Sequence, residues 1–376
     1  MERKIRMGMV GGGAGAFIGN VHRMAARLDG NIELVCGAFG RDGEKSRATG
    51  KSLFIPADRC YAGYEEMFAK ESQLPADKRM DFVSITTPNH LHYPIAMKAL
   101  QLGFHVVCEK PMTLTVEEAE SLAAEVKKTG LLFCLTHNYT AYPMARFARQ
   151  LVREGKLGDI RRIMVEYPQG WLADAVTIDN KQGSWRTDPK TSGITCCMGD
   201  IGSHSENLAE FVSGLKITEL CANLKTFVPG RTLDDDGDVL LKFDNGAIGT
   251  LTASQIAVGE ENALKLRIYG SRAALEWRQE NPESLIVKRN DGAMETFRRN
   301  WAGAASNWSR LPAGHPEGFI EAFASLYNDF AQAVDAFNAK LSYTPEYPSV
   351  EDGVRGVKII HAIVASASGD QKWIKL

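Results

Sequence analysis

Val10-Gly11-Gly12-Gly13-Ala14-Gly15-Ala16-Phe17-Ile18-Gly19 joins a short apolar run, residues 4–10, to a segment with helical spacing, residues 18–28. Glycines at such a junction allow a tight turn and let backbone N–H groups approach a phosphate at the helix N-terminus. Gly11-x-Gly13-x-x-Ala16 fits the strand–turn–helix fingerprint of a dinucleotide-binding unit. Gly19-Asn20-Val21-His22 offers the third glycine instead, three residues later. The candidate cofactor contacts in this stretch are Gly11, Gly13, Ala16, Phe17, Ile18 and Gly19.

Outward from the turn, strand-like apolar runs follow at 32–39, 82–87, 105–108 and 131–136, with helical patterns at 93–102 and 115–128 between them. Thr115-x-x-Glu118 is a capping signal, and Gly103 and Gly130 close the two helices. This alternation predicts a parallel sheet with helices on both faces. After about residue 150 the pattern changes. Strands are expected at 160–167, 219–227, 238–243, 247–257 and 264–269, then at 274–277, 284–288 and 295–298. Asp244-Asn245-Gly246 between two of them is a hairpin turn. Helices are expected at 319–337 and 349–366, the second with Ser349 as N-cap. The expected fold is an α/β Rossmann domain, 1–137, followed by an α+β domain, 138–376, with a large, mainly antiparallel open sheet.

Length agrees with two domains, because 376 residues exceed what one hydrophobic core usually serves. Apolar residues at 44% and charged residues at 24% argue against a mostly disordered chain. The net charge of -2 gives no electrostatic reason to expect nucleic acid or an anionic membrane as partner. No run of about 18 apolar residues is present to span a bilayer. Residues 1–5 run straight into the first strand without the apolar stretch of a secretory signal. The seven cysteines contain no Cys-x-x-Cys pair, and Cys36, Cys108 and Cys134 lie in apolar runs. A reduced, cytoplasmic protein is expected.

The end of the second strand should decide between the two dinucleotides. An acidic residue there would hold the ribose 2′-hydroxyl of NAD. The sequence has Ala38-Phe39-Gly40-Arg41-Asp42, with no carboxylate at the immediate end. Arg41 can accept a 2′-phosphate, which leans the reading to NADP, while Asp42 one residue on keeps NAD open.

Four further segments carry chemistry. Thr87-Pro88-Asn89-His90-Leu91-His92, Glu109-Lys110-Pro111 and His137-Asn138-Tyr139 each follow a strand, and Met198-Gly199-Asp200-Ile201-Gly202-Ser203-His204 follows the change of pattern. Ligands of open α/β sheets bind at the carboxyl ends of strands, where the first three sit. Together these segments resemble the glucose–fructose oxidoreductase/inositol dehydrogenase/MocA (Gfo/Idh/MocA) family of NAD(P)-dependent oxidoreductases, over nearly the whole chain. The resemblance implies a dinucleotide-binding domain coupled to an α+β domain whose open sheet mediates homodimers or homotetramers. It implies substrates among sugars, sugar derivatives and cyclic polyols. It also implies that Lys110 contacts cofactor and substrate, and that Asp200 and His204 form the catalytic acid/base motif. Thr87, Pro88, Asn89 and His92 match a cofactor-contacting loop, Glu109 lies beside the nicotinamide end, and Asn138 lies near nicotinamide or substrate. Two features depart from the family pattern: the longer glycine turn, and Asn207 where many members carry a further acidic residue.

The chemistry also follows from the residue types. Oxidising a secondary alcohol removes a proton from oxygen while hydride leaves carbon. A base of near-neutral pKa suits that proton, which favours His204. Asp200 can orient the imidazole or bind a neighbouring hydroxyl, and the Lys110 cation can stabilise alkoxide character. The spacing of four puts Asp200 and His204 on one face if the segment is helical. Taken singly, Asp200 would read as a cap of the following helix, His204 as a core histidine and Lys110 as a solvated cation; their order along the chain favours catalysis.

Trp171, Trp185 and Arg186 are candidates for the substrate wall, because aromatic faces pack on the C–H faces of sugars and arginine donates to hydroxyls. Tyr139, Tyr142 and His315 are further candidates, with packing as the alternative for each. No set of His, Cys, Asp and Glu has metal-ligand spacing. The first reading is an NAD(P)-dependent dehydrogenase of a sugar, glycoside or inositol-type polyol. An NAD-dependent glycoside hydrolase or lyase with transient oxidation, and a dinucleotide-binding regulator without turnover, remain as alternatives.

Overall fold

The structure, a computed structural model, describes residues 1, 3–177, 180–370 and 372–376. Strand β1 (Ile5–Gly11) is buried at every position through Val10, as expected of a strand covered on both faces. The chain continues through α1 (Phe17–Leu28), β2 (Ile32–Ala38), α2 (Gly43–Ser52), α3 (Tyr64–Glu71), β3 (Phe82–Thr86), α4 (His92–Gln101), β4 (His105–Cys108), α5 (Val116–Thr129) and β5 (Phe133–Leu135). All neighbours in the sheet are parallel, in the order β2-β1-β3-β4-β5. Successive strands step to opposite sides of β1, so the switch point lies between β1 and β3. The capping box at α5 is formed: Thr115 Oγ1 accepts from Glu118 N at 3.2 Å, and the Glu118 carboxylate accepts from Thr115 N. Helices α2 and α3 occupy a stretch that the sequence reading leaves without helix. The buried positions of α2 are Ser46, Thr49 and Gly50, so no apolar stripe marks it.

The chain then forms α6 (Pro143–Arg153), β6 (Ile160–Pro168), two short helices α7 (Lys181–Arg186) and α8 (Pro189–Ser192), a π-helical turn at Met198–Gly202, and α9 (Ser203–Ser213). Strands β7 (Ile217–Lys225), β8 (Asp236–Phe243), β9 (Ile248–Ser254), β10 (Lys265–Gly270), β11 (Ala273–Arg278), β12 (Ser284–Arg289) and β13 (Met294–Arg298) follow, then α10 (Phe319–Asn338), α11 (Val350–Ser368) and β14 (Ile374–Lys375). The nine-stranded sheet runs β13-β12-β11-β10-β6-β9-β8-β7-β14, antiparallel except for β6 beside β9. The Asp244-Asn245-Gly246 hairpin turn joins β8 to β9, with Gly246 at φ 86°. Along β8, Val239, Leu241 and Phe243 are buried and alternate with exposed Asp238 and Leu240. Helix α9 packs on β6, β9 and β10, and α6 on β11 and β12. The opposite face of the sheet leaves Leu240 and Ile248 each 51% exposed.

Two compact units result, residues 1–138 with 319–354 and residues 139–318 with 355–376. Helix α10 belongs to the first, although a division at residue 137 puts it in the second. Its buried side chains include Phe323, Leu326, Tyr327 and Phe330, and it packs on α1 and β1. An apolar helix face does not say which sheet it covers, so only the tertiary structure assigns it. Ser349 caps α11 as expected: its Oγ accepts from Glu351 N at 3.2 Å, and Asp352 Oδ2 accepts from Ser349 N at 2.7 Å.

Candidate active site

The glycine turn of the first unit is shaped by close backbone approach. A Cβ on Gly11 (φ +89°) would lie 2.8 Å from Thr86 O, and one on Gly13 would lie 2.1 Å from Phe39 O. At Gly19, inside the first turn of α1, a Cβ would meet Gly12 Cα at 2.2 Å. Gly19 therefore supplies the tight helix-to-turn packing of a third fingerprint glycine. Ala16 is instead the N-cap of α1, in extended conformation and without a side-chain cap bond. Phe17, at 63% exposure, and the half-buried Ile18 open the helix. Arg23 Nη1 closes the turn from behind by donating to Gly12 O at 2.6 Å. Arg41 is exposed just past β2, while Asp42 caps α2 by accepting from Glu44 N at 2.9 Å.

The carboxyl ends of β3, β4 and β5 carry the other candidates of this unit. Gly11 pairs with Thr86 at the switch point, so Thr87, Pro88 and Asn89 begin where the glycine turn begins. Thr87 Oγ1, His90 Nδ1 and Asn138 Nδ2 are buried with no hydrogen-bond partner. Buried polar atoms are rarely left unpaired, so these atoms fit a unit that takes a polar ligand at its strand ends. His92 is fully buried. Its Nδ1 lies 2.8 Å from Pro111 O and its Nε2 2.9 Å from Thr87 O, and burial holds its pKa down. It thus ties the Thr87 loop to the Glu109-Lys110-Pro111 loop. Glu109 is buried, which by itself raises its pKa, but His22, Lys110 and Thr136 outweigh burial and hold it below the usual carboxylate range. Lys110 N donates to Glu109 Oε2 at 3.3 Å, and Lys110 itself is half-buried.

In the second unit Asp200 sits in the π-helical turn and His204 in the first turn of α9, so the spacing of four is helical in mixed form. Asp200 does not cap α9, whose N-cap is Gly202, without a side-chain cap bond. Asp200 Oδ2 accepts from Arg186 Nε and from Gln255 Nε2, each at 2.9 Å. The Arg186 guanidinium stacks 4.3 Å from the Trp185 ring and 5.6 Å from the Trp171 ring, so these four candidates form one cluster. The His204 ring lies 4.7 Å from Tyr139, edge to face, with Tyr167 on its other neighbour position at 6.4 Å. Tyr139 Oη lies 2.5 Å from Tyr167 Oη, and Tyr167 Oη donates to Asn262 Oδ1 at 2.6 Å. Tyr142 accepts from Gln279 Nε2 at 3.1 Å. His315 stands apart: it is exposed, and its carbonyl accepts from Arg299 Nη2 at 2.5 Å.

Residues 5–137 match a family described as oxidoreductases with an NAD-binding Rossmann fold, and residues 145–276 match the GFO/IDH/MocA C-terminal domain. An oxidoreductase of Bacillus subtilis (strain 168), YfiI, is 33% identical over 386 residues, covering 100% of this chain and 98% of its own. The chain belongs to the Gfo/Idh/MocA oxidoreductase family. An inositol dehydrogenase homolog from Azotobacter vinelandii, solved with NAD+, is 34% identical with a TM-score of 0.96, covering 100% of this chain and 98% of that one. The same homolog has been solved with NADH and myo-inositol. Levoglucosan dehydrogenase of Pseudarthrobacter phenanthrenivorans is 27% identical over 99% of this chain and 98% of its own.

This Gfo/Idh/MocA oxidoreductase positions its Asp200 segment with residues that sequence reasoning missed. Asp234, buried, accepts from Thr195 Oγ1 at 2.5 Å and from Cys196 N and Met198 N, each at 2.9 Å. Gln169 links Trp171 to Asn262: Trp171 Nε1 donates to Gln169 Oε1 at 2.9 Å, and Gln169 Nε2 to Asn262 Oδ1 at 2.7 Å. Asp234, Gln169, Gln255 and Asn262 lie in no motif, and no sequence signal brings them to these partners. Among the described residues no group of three His, Cys, Asp or Glu side chains is placed to hold a metal ion, and no helix is long and apolar enough to cross a membrane.

Proposed function

We propose that this oxidoreductase transfers a hydride between a nicotinamide dinucleotide and a secondary alcohol of a sugar, glycoside or inositol-type polyol. The observation that carries the reading is the cluster of Arg186, Trp185 and Trp171 at Asp200, which itself lies on the segment that also bears His204. Flat aromatic faces beside charged hydrogen-bonding groups suit a ring with apolar C–H faces and hydroxyl edges. The relatives that act on or bind levoglucosan and myo-inositol support the same substrate class.

The glycine turn, with the backbone N–H groups at the start of α1, would hold the pyrophosphate, and Thr87, Asn89 and Asn138 the nicotinamide half. When bound, the dinucleotide takes up or gives the hydride. His204 takes the hydroxyl proton. Asp200, held by the hydrogen bonds it accepts from Arg186 and Gln255, orients a neighbouring hydroxyl. The Lys110 ammonium stabilises the negative charge that develops on the substrate oxygen. Arg41 past β2 supports NADP, whereas the solved relatives with NAD+ or NADH support NAD. Apolar side chains on the open sheet face, Leu240 and Ile248 among them, support a homodimer or homotetramer assembled through that face.

The test follows reduced-nicotinamide absorbance with NAD and NADP against polyols, aldoses and glycosides. Turnover is expected with one class; Lys110→Met should abolish it and spare dinucleotide affinity. His204→Ala should remove the near-neutral limb of the pH–rate profile. Unchanged turnover in Lys110→Met or an unchanged profile in His204→Ala would overturn the assigned roles. Bond cleavage without net reduction would move the reading to the hydrolytic cycle.

A further inference from the structure

Five side chains from separate parts of the first unit form one buried chain of hydrogen bonds. Ser84 lies on β3, Tyr327 on α10, His22 on α1, Glu109 just past β4 and Thr136 just past β5. Their exposures are 0%, 2%, 0%, 8% and 1%. Ser84 Oγ lies 2.8 Å from Tyr327 Oη, Tyr327 Oη 2.7 Å from His22 Nδ1, and His22 Nε2 2.9 Å from Glu109 Oε1. Thr136 Oγ1 donates to the same Glu109 oxygen, and Lys110 N donates to the other.

The direction of the chain follows from its end. A carboxylate only accepts, so His22 donates through Nε2–H. In the neutral tautomer that carries this proton the ring accepts at Nδ1, Tyr327 donates to it and Ser84 donates to the phenol oxygen, so that in this form every donor points toward Glu109. Phe323, with its ring 4.9 Å from that of His22, packs on the imidazole. Deleting the His22 donor would leave a buried carboxylate short of one charge-assisted hydrogen bond, and such a group rearranges to regain it. The nearest group to follow is the Lys110 amide, which shares that carboxylate.

We propose that His22, oriented by Tyr327, is a positioning residue that fixes the Glu109 carboxylate and through it the main chain at Lys110. The proposal rests on the reading of Lys110 given above, and it adds a role for a helix residue and for the C-terminal α10 that no motif assigns.

Three variants test it: His22→Leu, His22→Gln and Tyr327→Phe. The glutamine carries an acceptor and a donor spaced like Nδ1 and Nε2, so it preserves the polarity of the chain. Three quantities are read: kcat and KM, dinucleotide affinity by fluorescence, and hydrogen exchange in the peptide containing the Lys110 amide. His22→Leu should lower kcat by about 100-fold, the order of loss from a misplacement near 1 Å. Its dinucleotide affinity should stay within about threefold, and protection at Lys110 should fall. His22→Gln should restore both kcat and protection. A glutamine variant as impaired as the leucine one, or a leucine variant with wild-type kcat and protection, would overturn the proposal. If His22→Leu does not fold, Tyr327→Phe, which removes one hydroxyl, decides: reduced protection and kcat support the proposal, and no change in either overturns it. If the wild-type protein turns over no substrate, the reading of function fails, and exchange at Lys110 still decides the positioning role by the same two outcomes.

Discussion

Replacing Gly19 by alanine separates the two ways of aligning the glycine turn. The added Cβ would lie 2.2 Å from Gly12 Cα, whereas ordinary contact begins at 3.4 Å, so helix and turn must part by about 1.2 Å (3.4 less 2.2). The neighbour is backbone on a residue with φ +67°, which has no flexible end to swing away. Overpacking of this kind costs about 1–3 kcal/mol. The better helix propensity of alanine returns about 1 kcal/mol, so net destabilisation should be about 0–2 kcal/mol. The larger effect falls on binding. The backbone N–H groups of the turn would miss a bound pyrophosphate by about 1 Å, a displacement able to cost about 100-fold. Thermal unfolding and titration with reduced dinucleotide measure the two quantities. Ala16→Ser is the control: Ala16 makes no side-chain cap bond, and a serine there should add about 0.5–1 kcal/mol and leave affinity nearly unchanged. Wild-type affinity in Gly19→Ala together with a large loss in Ala16→Ser would refute the assignment of Gly19.

Three further outcomes follow from the same geometry. Asp234→Ala strands three buried donors, at about 1–3 kcal/mol each before relaxation, so chemical denaturation should show a loss of several kcal/mol and assays a strong fall in kcat through the displaced Asp200 turn; a loss under about 1 kcal/mol would contradict the role. Burial holds the His105 and His137 imidazoles down to about 4, below the ordinary 6.5. Between these values the unfolded chain takes up protons that the folded one refuses, so stability declines as pH falls from about 6.5 to about 4, by about 2 kcal/mol per histidine at pH 5. Urea unfolding of His105→Asn at pH 7 and pH 5 should show about that much less decline than the wild type, and an equal decline would refute it. Arg41→Ala should weaken NADP by roughly tenfold and leave NAD almost unchanged; an equal effect on both would remove Arg41 from cofactor choice.

Much of the fold was legible because local signals and tertiary roles agree. The period of the strands, the Thr115–Glu118 box, the Asp244-Asn245-Gly246 turn and the Ser349 cap are short-range devices, and each forms as its residues require. Helix α6 was legible in principle, since Met144, Phe147, Ala148 and Leu151 repeat at helical spacing and all are buried. Helix α2 was not, because small and polar residues make its buried contacts. Among candidate site residues, motif order picked out Asp200 and residue type picked out Arg186, but their ion pair joins positions 14 apart across a short helix and a turn. His92 was read as a cofactor contact; its ring nitrogens lie within hydrogen-bond distance of two backbone loops, a structural link that the motif did not announce.

By itself the sequence determined the alternation of strand and helix in its first third, the antiparallel character of the later sheet and the family. All three are written in spacing and in contiguous motifs, which act within a few residues. The tertiary structure decided what spacing cannot encode. It placed α10, some 180 residues beyond β5, against α1 and so completed the buried chain from Tyr327 to Glu109. It set Gly19 against Gly12 through one backbone approach, and it gave Asp200 its partners Arg186 and Gln255. Hydrogen bonds and close contacts depend on position to within fractions of an ångström, and that precision arises only when distant segments pack together.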